Sequence, residues 1–155
     1  MKKRKFIIIL IICLIITGCS SYENNKKTSS FNIKIDKIDL DMEYKISSKD
    51  SKIREIVMFE ECGRPNITNS NTVIGAHSGN STYAYFNELS LLEYGDIIAI
   101  TYEYKIYNYM VIEVKEVYDS EIEILENKNK SILTLLTCKI NDNTKRVVVV
   151  ASLEN

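Results

Sequence analysis

Apolar residues along this chain recur mostly at every second position, in short runs separated by polar clusters, which is the signature of half-buried strands. Ile33, Ile35, Ile38 and Leu40 alternate with Lys and Asp, predicting a strand with a break near Lys37, and Tyr44 and Ile46 carry the pattern into a second strand. Between Asp50 and Met58 the spacing of Ile53, Ile56 and Val57 is instead helical, with Asp50 as N-cap. Glu60 to Asn71 contains the chain's one proline and reads as a loop. The run Thr72–Ala76 predicts a strand ending at His77, and Ser78 to Ser81 a turn. Tyr83, Phe86, Leu89 and Leu92 fall three apart, predicting a short amphipathic helix over 82–92. Gly95 and Asp96 open a strand at Ile97–Tyr102, and the run Ile106–Val117 sets Met110, Ile112 and Val114 on its inward face against Glu113 and Lys115. A short strand at Glu121–Leu125 follows, then a closing pair, Ser131–Cys138 and Arg146–Leu153.

Many short strands, one or two small helices and no alternation of strand with long helix indicate an all-β domain, most simply a closed barrel. At 155 residues, 45% of them hydrophobic, the chain suffices for one domain with a substantial core. Tyr102, Tyr104, Tyr107 and Tyr109 flank one hairpin and read as cross-strand packing. A formal net charge of −1 supplies none of the phosphate neutralisation that nucleic-acid binding requires. No metal site or cofactor is expected; the adjacent acids Glu60 and Glu61 are too few for calcium.

The N-terminus reads as a targeting segment. Met1 to Lys5 is basic and Phe6 to Ile16 is an unbroken apolar run, short for a bilayer span but ordinary for a signal sequence. The run ends in Ile16-Thr17-Gly18-Cys19, which resembles the lipobox of bacterial lipoproteins, and Cys19 is then the lipidation site. An uncleaved signal anchor is the alternative. The chain divides into a signal peptide at 1–19, a polar tether at 20–30 and a folded domain at 31–155. Either form of attachment holds that domain at the outer face of the cytoplasmic membrane. Cys62 and Cys138 are the two cysteines of the folded part. In an exported protein they allow a structural disulfide as well as a reactive thiol.

Cys138 ends one apolar strand and Arg146 begins the next, so a hairpin sets them side by side at a sheet rim. His77, the chain's single histidine, ends another strand. A thiolate is both a nucleophile and a tolerable leaving group, and with a histidine and an arginine it forms the equipment for acyl transfer. Thr134-Leu135-Leu136-Thr137-Cys138, Arg146 and the segment Ile74-Gly75-Ala76-His77-Ser78 together resemble the sortases, the cysteine transpeptidases of Gram-positive bacteria. Phe86-Asn87-Glu88-Leu89 and Gly95-Asp96 resemble the same family, over residues 31 to 153.

The resemblance implies a closed eight-stranded sortase-type β-barrel with one or two short helices. It implies Cys138 as nucleophile, His77 as general acid and then base, and Arg146 as holder of the carbonyl or oxyanion, with Thr137 lining the substrate groove. The implied partners are secreted proteins with a C-terminal LPXTG-like sorting signal and a cell-wall precursor amine. A catalytically inactive sortase-like binding lipoprotein is the alternative function. Ala76 stands where the family usually has glycine before the histidine, and Lys139 to Lys145 leaves only a short loop, a compact form closer to the class B or D types than to class C.

Overall fold

The computed structural model describes residues 30–48, 54–127 and 129–154. The signal peptide, the lipobox with Cys19, most of the tether, and Asp50 and Ile53 lie outside these residues. Eight strands close into one barrel: β1 (Phe31–Ile35), β2 (Leu40–Ser47), β3 (Ile56–Phe59), β4 (Asn71–Gly75), β5 (Ile97–Tyr102), β6 (Lys105–Tyr118), β7 (Ile132–Lys139) and β8 (Asp142–Leu153). Their order around the barrel is β1-β2-β3-β4-β7-β8-β6-β5. Two of the pairings, β2 with β3 and β4 with β7, are parallel; the others are antiparallel. The expected eight-stranded barrel is therefore present. Among the described residues the helical segments are 3-10 turns at Asp36–Ile38, Leu89–Leu91 and Ile122–Leu125.

The break near Lys37 is the first of these turns, closed by Asp39 in the left-handed region at φ 50°. Four local expectations are corrected. Residues 56–58 belong to β3 and not to a helix, because Ile56, Val57 and Met58 are all buried, two facing the main core and one an outer cluster. A strand covered on both faces has no apolar–polar alternation to betray it. The amphipathic helix over 82–92 is a series of turns with a single 3-10 segment, although Phe86, Leu89 and Leu92 do enter the core as the spacing requires. The strand at 121–125 is the third 3-10 turn.

On β6 the inward face is Tyr109 and Val111 rather than Met110 and Ile112. A bulge explains this: Val111 pairs with Ala151 and Glu113 with Val150, so Ile112 is left over and the two-residue phase slips.

The barrel interior is filled by Ile33, Ile35, Ile74, Ile98, Ile100, Leu133, Leu135 and Val149, all fully buried. A second, smaller cluster lies outside the barrel wall, where Val57, Phe59 and Val73 pack with Cys62, Leu125 and Leu136. Leu125 arrives there from the β6–β7 connection, which Asn71 pins down: its Nδ2 donates to the Ile124 and Glu126 carbonyls at 2.9 and 3.1 Å, while its Oδ1 accepts from Thr134 Oγ1 at 2.8 Å. That connection thus lies across the outer face of the strands leading to Cys138.

Candidate active site

Cys138 stands next to last in β7, and Arg146 is its direct partner on β8. Opposed residues of an antiparallel pair project from the same face with Cβ atoms about 4.5–5.5 Å apart. Immediately beyond them the register breaks, Lys139 pairing with Asp142, so that Asn143, Thr144 and Lys145 bulge from β8. The hairpin closes through Ile140 and Asn141, the latter left-handed at φ 67°. The bulge anchors the arginine. Nη1 donates to the carbonyls of Asn143 and Lys145 at 2.8 and 3.0 Å, and Nη2 lies 3.7 Å from Asp119 Oδ2.

His77 reaches the other flank of Cys138 by a different route. Gly75 pairs with Leu136 in the parallel ladder of β4 and β7. The chain then stays beside β7: Ala76 N donates to the Leu136 carbonyl at 3.3 Å, and Thr137 Oγ1 donates to the Ala76 carbonyl at 2.8 Å. Ser78 Oγ donates to the carbonyl of Cys138 itself. Phe86 N completes the set, donating to the His77 carbonyl at 3.1 Å. Ala76 turns into the core and His77 is exposed. The three predicted residues therefore come to one rim in the order His77, Cys138, Arg146, from three neighbouring strands.

Cys138 is half-buried and no disulfide joins it to Cys62. Cys62 packs instead with the outer cluster. Arg64 donates from Nη1 and Nη2 to the carbonyls of Phe59, Cys62, Gly63 and Glu60, so its role is to hold the β3–β4 loop. Thr137 is buried, with only its hydroxyl directed to the histidine segment.

Sequence reading missed three residues near the thiol. Ser78 belongs to the histidine segment and to the turn after it, but its bond to the Cys138 carbonyl is not readable from either. Glu116 and Lys139, joined at 2.7 Å, line a rim cavity of about 170 Å³ together with Cys138, Thr137 and Phe86.

Residues 33–154 match the family model of the sortase domain. The chain belongs to the sortase family. Sortase A of Bacillus anthracis is 32% identical over 84 residues, which are 54% of this chain and 40% of that protein. The match thus spans about two-fifths of the length of that curated relative. Among solved structures, sortase C of Clostridium perfringens with the C-terminal cell wall sorting motif superposes with a TM-score of 0.72 at 26% identity, covering 80% of this sortase and 69% of that chain. Sortase D5 transpeptidase of the same organism gives 0.71 at 27% identity, over 81% and 78% of the two chains.

Proposed function

We propose that this sortase is an extracytoplasmic cysteine transpeptidase that cuts an LPXTG-like sorting motif after its threonine and passes the acyl group to a cell-wall amine. The observation that carries this reading is the row His77–Cys138–Arg146 along one rim, built from a parallel pair on one side and an antiparallel pair on the other. In the first step the Cys138 sulfur attacks the threonine carbonyl carbon. The thiol proton passes to His77 as the C–S bond forms, the C–N bond breaks, and His77 hands that proton to the departing amine. Arg146 stabilises the oxyanion, a contribution on the order of 3 kcal/mol for a positioned donor.

A second feature supports a sorting motif as donor. On the barrel's outer face, below the β6–β7 connection, a cavity of about 370 Å³ has a floor of Ile112, Ile124, Ile132, Thr134 and Val150 and a charged border of Glu113, Lys115, Glu121, Glu123 and Lys130. Thr134 lies four residues before Cys138 along β7, roughly 13 Å at strand rise. The motif's leucine sits three residues before its threonine, roughly 10 Å in extended chain, so the isoleucines and valine of this otherwise charged cavity stand near its reach.

Residues 1–19 are assigned to export, with Cys19 as lipid anchor, which puts the reaction outside the membrane. The two-residue Ile140-Asn141 turn supports a compact class B or D type. The test is cleavage of a fluorogenic sorting-motif peptide by the full chain, with and without amine. Cys138→Ala should abolish cleavage while the far-ultraviolet circular dichroism stays native; turnover retained in that variant would refute the assignment.

A further inference from the structure

We propose that the tip of the β5–β6 hairpin, Tyr104 with Ile106, is a membrane contact that seats the barrel on the bilayer with its catalytic rim facing away. This rests on the reading of residues 1–19 as the membrane attachment and goes beyond it, because attachment alone sets no orientation.

The four tyrosines flanking this hairpin do not share one role. Tyr102 and Tyr109 are buried and Tyr107 is half-buried, as cross-strand packing requires, but Tyr104 is 71% exposed. Ile106, two residues on, is 63% exposed. Tyr102 pairs with Lys105, so Glu103 and Tyr104 form a two-residue turn with both φ values positive, at 50° and 66°. Asn-Gly fits such a turn with less strain than a glutamate and a tyrosine. A ring held out in water by a disfavoured backbone points to a use outside the barrel.

Where the chain enters the barrel says what covers this tip. Tyr104 N donates to the carbonyl of Ser30 at 3.5 Å, so the tip stands beside the point at which residues 20–30 reach β1. Those eleven residues span at most roughly 40 Å however they are arranged. The tip is therefore confined near the bilayer that residues 1–19 attach to, at an effective concentration that lets a small apolar contact bind. Tyrosine suits a bilayer interface, with its ring toward the acyl chains and its hydroxyl among the headgroups, and isoleucine adds apolar area beside it. Glu103 and Lys105 cancel in charge, while Lys26 and Lys27 of the tether add attraction for anionic headgroups.

Strand β6 sets the consequence. Its Lys105 end is the tip, and near its other end Val117 pairs with Arg146 and Tyr118 with Lys145. Its fourteen residues cover about 45 Å along the strand, which places the catalytic rim roughly 35 Å above the headgroups for a barrel whose strands tilt near ~40°. Leu91 and Tyr94, also exposed, lie on the barrel's flank before β5, and contact through them would lay the barrel on its side.

The chain contains no tryptophan, so a single one reports its own surroundings. Tyr104→Trp, Tyr94→Trp and Tyr118→Trp are made one at a time in the full chain and reconstituted into vesicles of phosphatidylcholine and phosphatidylglycerol, with or without bromine on the acyl chains. Flotation with the vesicles is measured first. Protein that does not float overturns the membrane attachment and the contact with it. In floating protein, bromolipid should quench Tyr104→Trp at least about threefold more than Tyr94→Trp or Tyr118→Trp, and adding Ile106→Asp should remove that excess. Equal quenching at the three positions, an excess at Tyr94, or an excess at Tyr104 that survives Ile106→Asp overturns the proposal while leaving the attachment standing. So does a Tyr104→Trp indole that neither bromolipid nor acrylamide quenches, which would assign the tip to contact between copies of the chain.

Discussion

Thr137 donates its hydroxyl to the carbonyl of Ala76 at 2.8 Å, so the residue before the thiol is bonded to the residue before the histidine. The two catalytic candidates are thereby tied to each other through their neighbours. Thr137→Val keeps the shape and removes the donor. With Thr137 buried, the loss should cost about 1–3 kcal/mol of stability. Urea unfolding should show a lower midpoint at unchanged slope, and peptide cleavage should fall by more than the folded fraction does. Cleavage that simply tracks the folded fraction would show that the bond holds the fold without aligning the site.

Gly75 supports the same segment from outside the wall. A Cβ there would sit 2.9 Å from Phe59 Cζ, and Phe59 is buried in the outer cluster with Val57 and Val73. Gly75→Ala must displace that ring, at about 1–3 kcal/mol. The thermal midpoint should fall, and combining the change with Phe59→Leu should recover part of it. No recovery would mean that the clash lies elsewhere.

Much of this arrangement was legible in the sequence because it is local. The strand ends at Cys138 and at the start of the Arg146 run, and the three-residue spacing of Phe86, Leu89 and Leu92, depend on a few neighbouring residues. What was not legible depends on partners distant in sequence. Ile56–Met58 were mistaken for helix because their second apolar face is created by Leu125 and Leu136, both more than sixty residues away. The β6 face was misassigned because a bulge is a mismatch against β8 and leaves no mark on β6 alone. Ser78 and Glu116 became visible only once β4, β6, β7 and β8 were side by side.

Arg146 owes its position to geometry that lysine cannot reproduce. One nitrogen, Nη1, is fixed by two carbonyls at 2.8 and 3.0 Å, leaving the rest of the planar fork to face Asp119 and the site. Arg146→Lys should therefore lose at least tenfold in kcat/KM, close to Arg146→Ala, with little change in stability. Asp119→Asn should be mild by comparison, since a 3.7 Å contact to a half-exposed carboxylate holds little. A lysine variant near wild-type turnover would reduce the requirement to charge alone.

Alkaline stability follows from the buried phenols. Burial pushes Tyr109 up to about 12, and Tyr44, whose hydroxyl donates to the Thr101 carbonyl at 2.9 Å, is raised for the same reason. In the unfolded chain tyrosine ionises near ~10. The folded state keeps these protons longer, so their contribution is whole below about pH 10 and is lost as pH rises through the folded value near 12. Wild-type stability should accordingly decline across that window. Tyr109→Phe has no proton to lose: it should begin lower, because the core packing around the ring is altered, yet decline less steeply. Urea midpoints compared at about pH 8 and about pH 11 measure the two slopes, and parallel slopes would mean that other groups govern the alkaline loss.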